Sequence, residues 1–130
     1  MNRSLIRLLL AMCLSAPVIA LQSDNASTTT LTGWFSDESC ARSAINRGKI
    51  GPNGRECVQD CLKNGKKLVF IDEKAKALLF VDNPTAAKDQ ESNYVQVTGT
   101  ADRTAKTLHV ISVKVLQEYT PMCGRRPLAK

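Results

Sequence analysis

Histidine is almost missing from this sequence. His109 stands alone among 130 residues, so any hydrolase built on an imidazole base would depend on that one side chain. Nor does a serine sit in a nucleophile-elbow setting, the stretch "GWFSDES" included. Asp37 and Glu38 are adjacent, and neighbours on extended chain point to opposite faces, so they read as turn formers and not as a catalytic carboxylate pair. Block charge is lacking too, since lysines and arginines are interspersed with acids in "DEKAK" and "KDQES". That pattern fits a solvated mixed-charge surface and no nucleic-acid partner. Finally, the longest apolar stretch is broken at Arg7 and Pro17 and falls short of the ~20 residues that a membrane-spanning helix needs, which excludes stable membrane insertion by that route. No internal repeat is visible.

The N-terminus has the layout of a secretory signal peptide. Arg3 and Arg7 supply a positive start, Leu8 to Leu14 an apolar run, and "PVIA" a small-residue end, with cleavage expected after Ala20. A lipoprotein signal at Cys13 is the weaker alternative, because Met12 is too large for the position before a lipidated cysteine. Loss of Arg3 and Arg7 leaves 16 basic against 12 acidic residues, a net charge of +4. The mature protein is expected to be a soluble monomer, periplasmic or secreted, with an envelope ligand or protein as partner and no cofactor.

Residues 21–30, "QSDNASTTT" with its flanks, are small and polar and read as a flexible leader. The domain is expected over 31–118, with 119–130 as a C-terminal tail. "LTGWF" is a strand candidate, "ESCARSAIN" a turn or two of helix stopped by Gly48, and "RGKIGPNG" a loop. Asn53 as N-cap, Glu56 three residues on, and Asn64-Gly65 as exit predict a short helix over 54–63. On it Cys57, Val58, Cys61 and Leu62 share one face, which turns both thiols toward the protein. "KKLVFID" and "ALLFVD" then form one hairpin around "EKAK", and "NYVQVTGTAD" and "TLHVISVKVL" another around "DRTAK". Asn83-Pro84 is placed to start one helical turn between them. His109 shares a face with Ile111, Val113 and Val115, taken as the apolar side of the last strand, where it reads as a hydrogen-bonded residue at the rim. Of Trp34 and Phe35, Trp34 is assigned to the core and Phe35 to the surface. Five strands around one short helix between the first and second predict a mainly β chain closed into a small barrel.

The order "LTGWFSDESC", "CVQDCLKNGKKLVFID", "VDNPTAAK", "YVQVTGTADRTAKTLHVISVKVL" resembles a family of small exported bacterial domains of unknown function. The resemblance spans roughly residues 31–116 and implies an oligonucleotide/oligosaccharide-binding-type (OB-like) barrel. It implies no reaction. Similar sequences place a histidine shortly after the first cysteine, where this chain has "ARSAIN".

Four cysteines remain after cleavage: Cys40, Cys57, Cys61 and Cys123. In an oxidising compartment an even number favours disulfides, each contributing about 2–4 kcal/mol. An i,i+4 bridge between Cys57 and Cys61 strains a regular helix, so each is expected to reach a different partner, Cys40 or Cys123. The alternative is a Cys3His zinc or copper(I) site of Cys40, Cys57, Cys61 and His109. A thiol-disulfide enzyme ranks third, because Cys61 lies near a helix C-terminus, where the dipole raises a thiol's pKa. The sequence therefore predicts an exported, disulfide-stabilised binding or structural module, not an enzyme.

Overall fold

The computed structural model describes residues 26–121. The segment expected as signal peptide, residues 21–25 of the expected leader, Cys123 and the end of the expected tail lie outside them. Five strands, β1 (Ala26–Asp37), β2 (Leu68–Asp72), β3 (Ala77–Val81), β4 (Tyr94–Asp102) and β5 (Thr107–Gln117), form a mainly β fold. Between β1 and β2 stand two helices, α1 (Glu38–Asn46) and α2 (Arg55–Lys63), and a 3-10 turn at Pro84–Ala87 precedes β4. The sheet runs β1-β2-β3-β5-β4 and closes on itself where β4 pairs with β1. Every pairing is antiparallel except the short one between β3 and β5.

The burial of each strand follows from what covers its faces. On β4, Val95, Val97, Gly99 and Ala101 are buried and alternate with half-exposed partners, the period-two pattern of a sheet with one covered face. All of β2 is buried. Leu68 and Phe70 point into the ring, where Phe70 meets Phe35 edge-on at 5.3 Å, while Val69 and Ile71 pack outside it against Ala41 of α1. Gly33 lets β1 turn from β4 to β2, since a Cβ there would lie 1.8 Å from the Ile71 carbonyl oxygen. Both hairpins use one turn chemistry. Asp72 Oδ1 accepts from the amides of Lys74 and Ala75, Asp102 Oδ1 from those of Thr104 and Ala105, and Lys76 and Lys106 take positive φ.

Four expectations are corrected here. There are two helices before β2, not one, because Asp37 caps α1 and carries it through nine residues. The leader is shorter than 21–30, since β1 begins at Ala26 by pairing with β4, Ala26 opposite Asp102. Asn53 does not cap α2: Gly54 holds that position, and the Asn53 amide donates instead to Ser36 Oγ at 2.7 Å. Phe35 rather than Trp34 enters the core, because Gly33 and the pairing of β1 set alternate residues inward.

Candidate functional site: a cysteine cluster between two helices

Cys40 belongs to the first turn of α1 and Cys57 and Cys61 to successive turns of α2. Asp37 fixes the first of these positions. Its fully buried side chain accepts at Oδ1 from the amides of Ser39 and Cys40, at 2.9 and 3.0 Å, and its Oδ2 is buried with no hydrogen-bond partner. The second helix is anchored from both ends. Val58 is fully buried and Leu62 packs on the core of the ring, while the Arg55 guanidinium donates to the Glu91 carbonyl and to Asn93 Oδ1.

These anchors bring three thiols together. Cys40 Sγ lies 3.8 Å from Cys57 Sγ, and the three sulfurs fall within 4.8 Å of one another. The i,i+4 spacing on α2 keeps Cys57 and Cys61 on one side of the helix, and Cys40 meets them across the gap to α1. Cys57 is exposed and the other two are half-buried, so the expectation that both α2 thiols face the protein holds only in part. Both converge on Cys40, and the partner expected in Cys123 lies outside the described residues. All three are free thiols at this geometry.

Burial raises the Cys40 pKa strongly, and the Asp37 carboxylate and the Cys57 thiol raise it further. Cys61 is shifted up as well, by desolvation first and then by the Asp37 charge. Two of the three thiols are thus held protonated at neutral pH, the opposite of the activation a nucleophilic cysteine needs.

His109 does not belong to this site. Its Nδ1 lies 2.8 Å from Asp82 Oδ1, and both side chains are more than half exposed. The pairing of β5 with β4 is irregular and shifts register between Thr98 and Gly99. Before it Leu108 and Val110 point inward, so His109 and Ile111 point out; after it Val113 packs against the core. The apolar alternation that grouped His109 with Val113 therefore crosses a bulge. The residue that sequence reasoning passed over is Asp37, although an Asp three places before a cysteine at a helix start is a readable N-cap signal.

No family model, curated protein or solved structure matches this chain. Among the described residues no helix is long and apolar enough to cross a membrane.

Proposed function

We propose that this protein is an exported OB-like β-barrel module that binds a soft metal ion, zinc or copper(I), through Cys40, Cys57 and Cys61. The observation that carries the proposal is the convergence of three thiols within 4.8 Å. A tetrahedral site with metal–sulfur bonds of about 2.3 Å has sulfur–sulfur edges of about 3.8 Å, and Cys40 and Cys57 stand at 3.8 Å. Thiolate sulfur is also the ligand that selects zinc and copper(I) over harder cations. Metal binding would displace the protons that burial and Asp37 hold on the thiols. Support for the OB-like barrel comes from the closed order β1-β2-β3-β5-β4 with a parallel β3–β5 contact. Support for export comes from residues 1–20 alone.

A disulfide between Cys40 and Cys57 is the second reading, favoured by their close approach and by an oxidising destination. It would join α1 to α2 and leave Cys61 and Cys123 for a second bridge. Native and denaturing mass spectrometry of the exported protein separates the two. One zinc or copper ion per chain, lost on Cys61→Ser replacement, is the expected result. A denatured mass two or four hydrogens short, with no metal taken up after reduction, overturns the metal site.

A further inference from the structure

On the surface formed by the end of β1 and the start of β4, away from the thiols in function and independent of them, lies a cleft of about 430 Å3. The chain has one tryptophan and two tyrosines, and Trp34, Tyr94 and Tyr119 all line it. Trp34 and Tyr94 sit side by side as a cross-strand pair, their ring centroids 5.1 Å apart and tilted by 39°. Tyr119 follows the last strand, yet it is held in place. Its amide donates to Asn93 Oδ1 at 2.8 Å, and the Arg55 guanidinium lies 5.4 Å from its ring centroid.

The polar groups of the cleft have one character. Glu73 accepts the Tyr94 hydroxyl at 2.7 Å and keeps acceptor capacity for another donor. Ser92 is 1% exposed, and its Oγ is buried without a partner in the wall of the same cleft. A buried hydroxyl costs free energy unless something bonds to it, so this one marks a place for a polar ligand atom. Gln117 and Glu118 add an amide and a second carboxylate, while no lysine or arginine is among the lining residues.

We infer that this cleft binds a neutral carbohydrate. A sugar ring has an apolar C–H face and a rim of hydroxyl groups, which fits flat aromatic surfaces edged by carboxylate and hydroxyl groups. The volume lies toward the small end of ligand pockets and suits one or two rings. Two carboxylates among the lining residues, against the one guanidinium of Arg55 behind Tyr119, disfavour phosphate-bearing ligands for electrostatic reasons. The aromatic pair and Tyr119 are held by strand pairing and hydrogen bonds before any ligand arrives, so little ordering cost falls on binding.

Trp34 is the only tryptophan, so its fluorescence reports directly on the cleft. The full exported protein is titrated with maltotetraose, cellotetraose and chitotetraose, and with a six-nucleotide single-stranded DNA as the anionic stacking competitor. A saturable fluorescence change with at least one tetrasaccharide, weakened about tenfold or more by Tyr119→Ala and by Glu73→Gln, is expected. Tyr119 lies beyond the strands, and an unchanged melting temperature checks that its removal leaves the fold intact. Cys57→Ser should leave the sugar response untouched, which separates this site from the metal site. No saturable change with any tetrasaccharide, an undiminished response in Tyr119→Ala, or a stronger response to the DNA overturns the proposal.

Discussion

Asp37 holds the amide of Cys40 at 3.0 Å with one carboxylate oxygen while its other oxygen lies buried and unpartnered. One side chain thus starts the helix that carries the first thiol and adds to the burial that raises that thiol's pKa. The two roles separate under mutation.

Asp37→Asn keeps an oxygen for the cap and removes the charge, so the Cys40 thiol should titrate at lower pH than in the parent protein. Asp37→Ala removes the cap as well, at a cost of about 1–2 kcal/mol. Thiolate absorbance against pH measures the first effect and urea unfolding the second. Equal titration curves for parent and Asp37→Asn would contradict the assigned influence of the carboxylate.

The reduced, metal-free protein should lose stability as pH rises above the ordinary thiol value of 9.0. With Cys40 and Cys61 raised in the native state, the unfolded chain releases protons that the folded chain retains, so alkali favours unfolding. The stabilisation is complete below the ordinary value and is lost as pH climbs through the raised native ones. Melting temperatures between pH 7 and 10.5 check the sign, with Cys40→Ser flattening the decline.

Acid should act on the metal-loaded protein instead, because protons compete with the ion for sulfur. Zinc affinity, measured by competition with a chromophoric chelator, is expected to fall from pH 7.5 to pH 5.5. An affinity constant over that interval would mean that thiols are not the ligands.

His109→Ala should leave metal stoichiometry and affinity unchanged, since the imidazole pairs with Asp82 and stands apart from the thiols. The lost hydrogen-bonded contact is exposed on both sides and is worth less than about 1 kcal/mol. A large drop in zinc binding on this replacement would restore the histidine to the site.

Gly33→Ala should destabilise the fold by about 3 kcal/mol, because the new methyl meets the Ile71 carbonyl oxygen and a packed sheet yields little. Gly99→Ala, whose Cβ would lie 2.3 Å from the His109 carbonyl oxygen, should do the same. Denaturant midpoints of the two variants test both contacts.

Much of this architecture is legible along the chain. The hairpins announce themselves through β-rich runs and short polar turns, and β2–β3 and β4–β5 form where those runs lie. The second helix spans Arg55–Lys63 within the expected 54–63, and Asn64 and Gly65 end it. The 3-10 turn begins at Pro84 as the Asn83-Pro84 step suggests. The two hairpins also share one Asp-initiated turn, and both turns read D-x-x-A-K, Asp72 to Lys76 and Asp102 to Lys106.

The site was legible in its parts and not in its assembly. The cysteines and the helix bearing two of them could be read from spacing, because helical periodicity is a property of the local chain. Which thiols meet depends on how α1 and α2 rest on the ring, which Asp37, Val58 and Arg55 settle through contacts with residues distant in sequence. The same holds for His109, separated from the face of Val113 by a bulge that no alternation pattern reveals.

By itself, then, the sequence determined the β-rich character, the hairpin partners, the second helix and the inventory of sulfur. Those features arise from interactions among near neighbours and from the two periodicities of backbone structure. Only the tertiary structure decided that three thiols from two helices converge, and that Phe35 fills the core while Trp34 joins Tyr94 and Tyr119 in a cleft. Each of those outcomes depends on long-range packing and strand register, where a shift of one residue exchanges inside for outside.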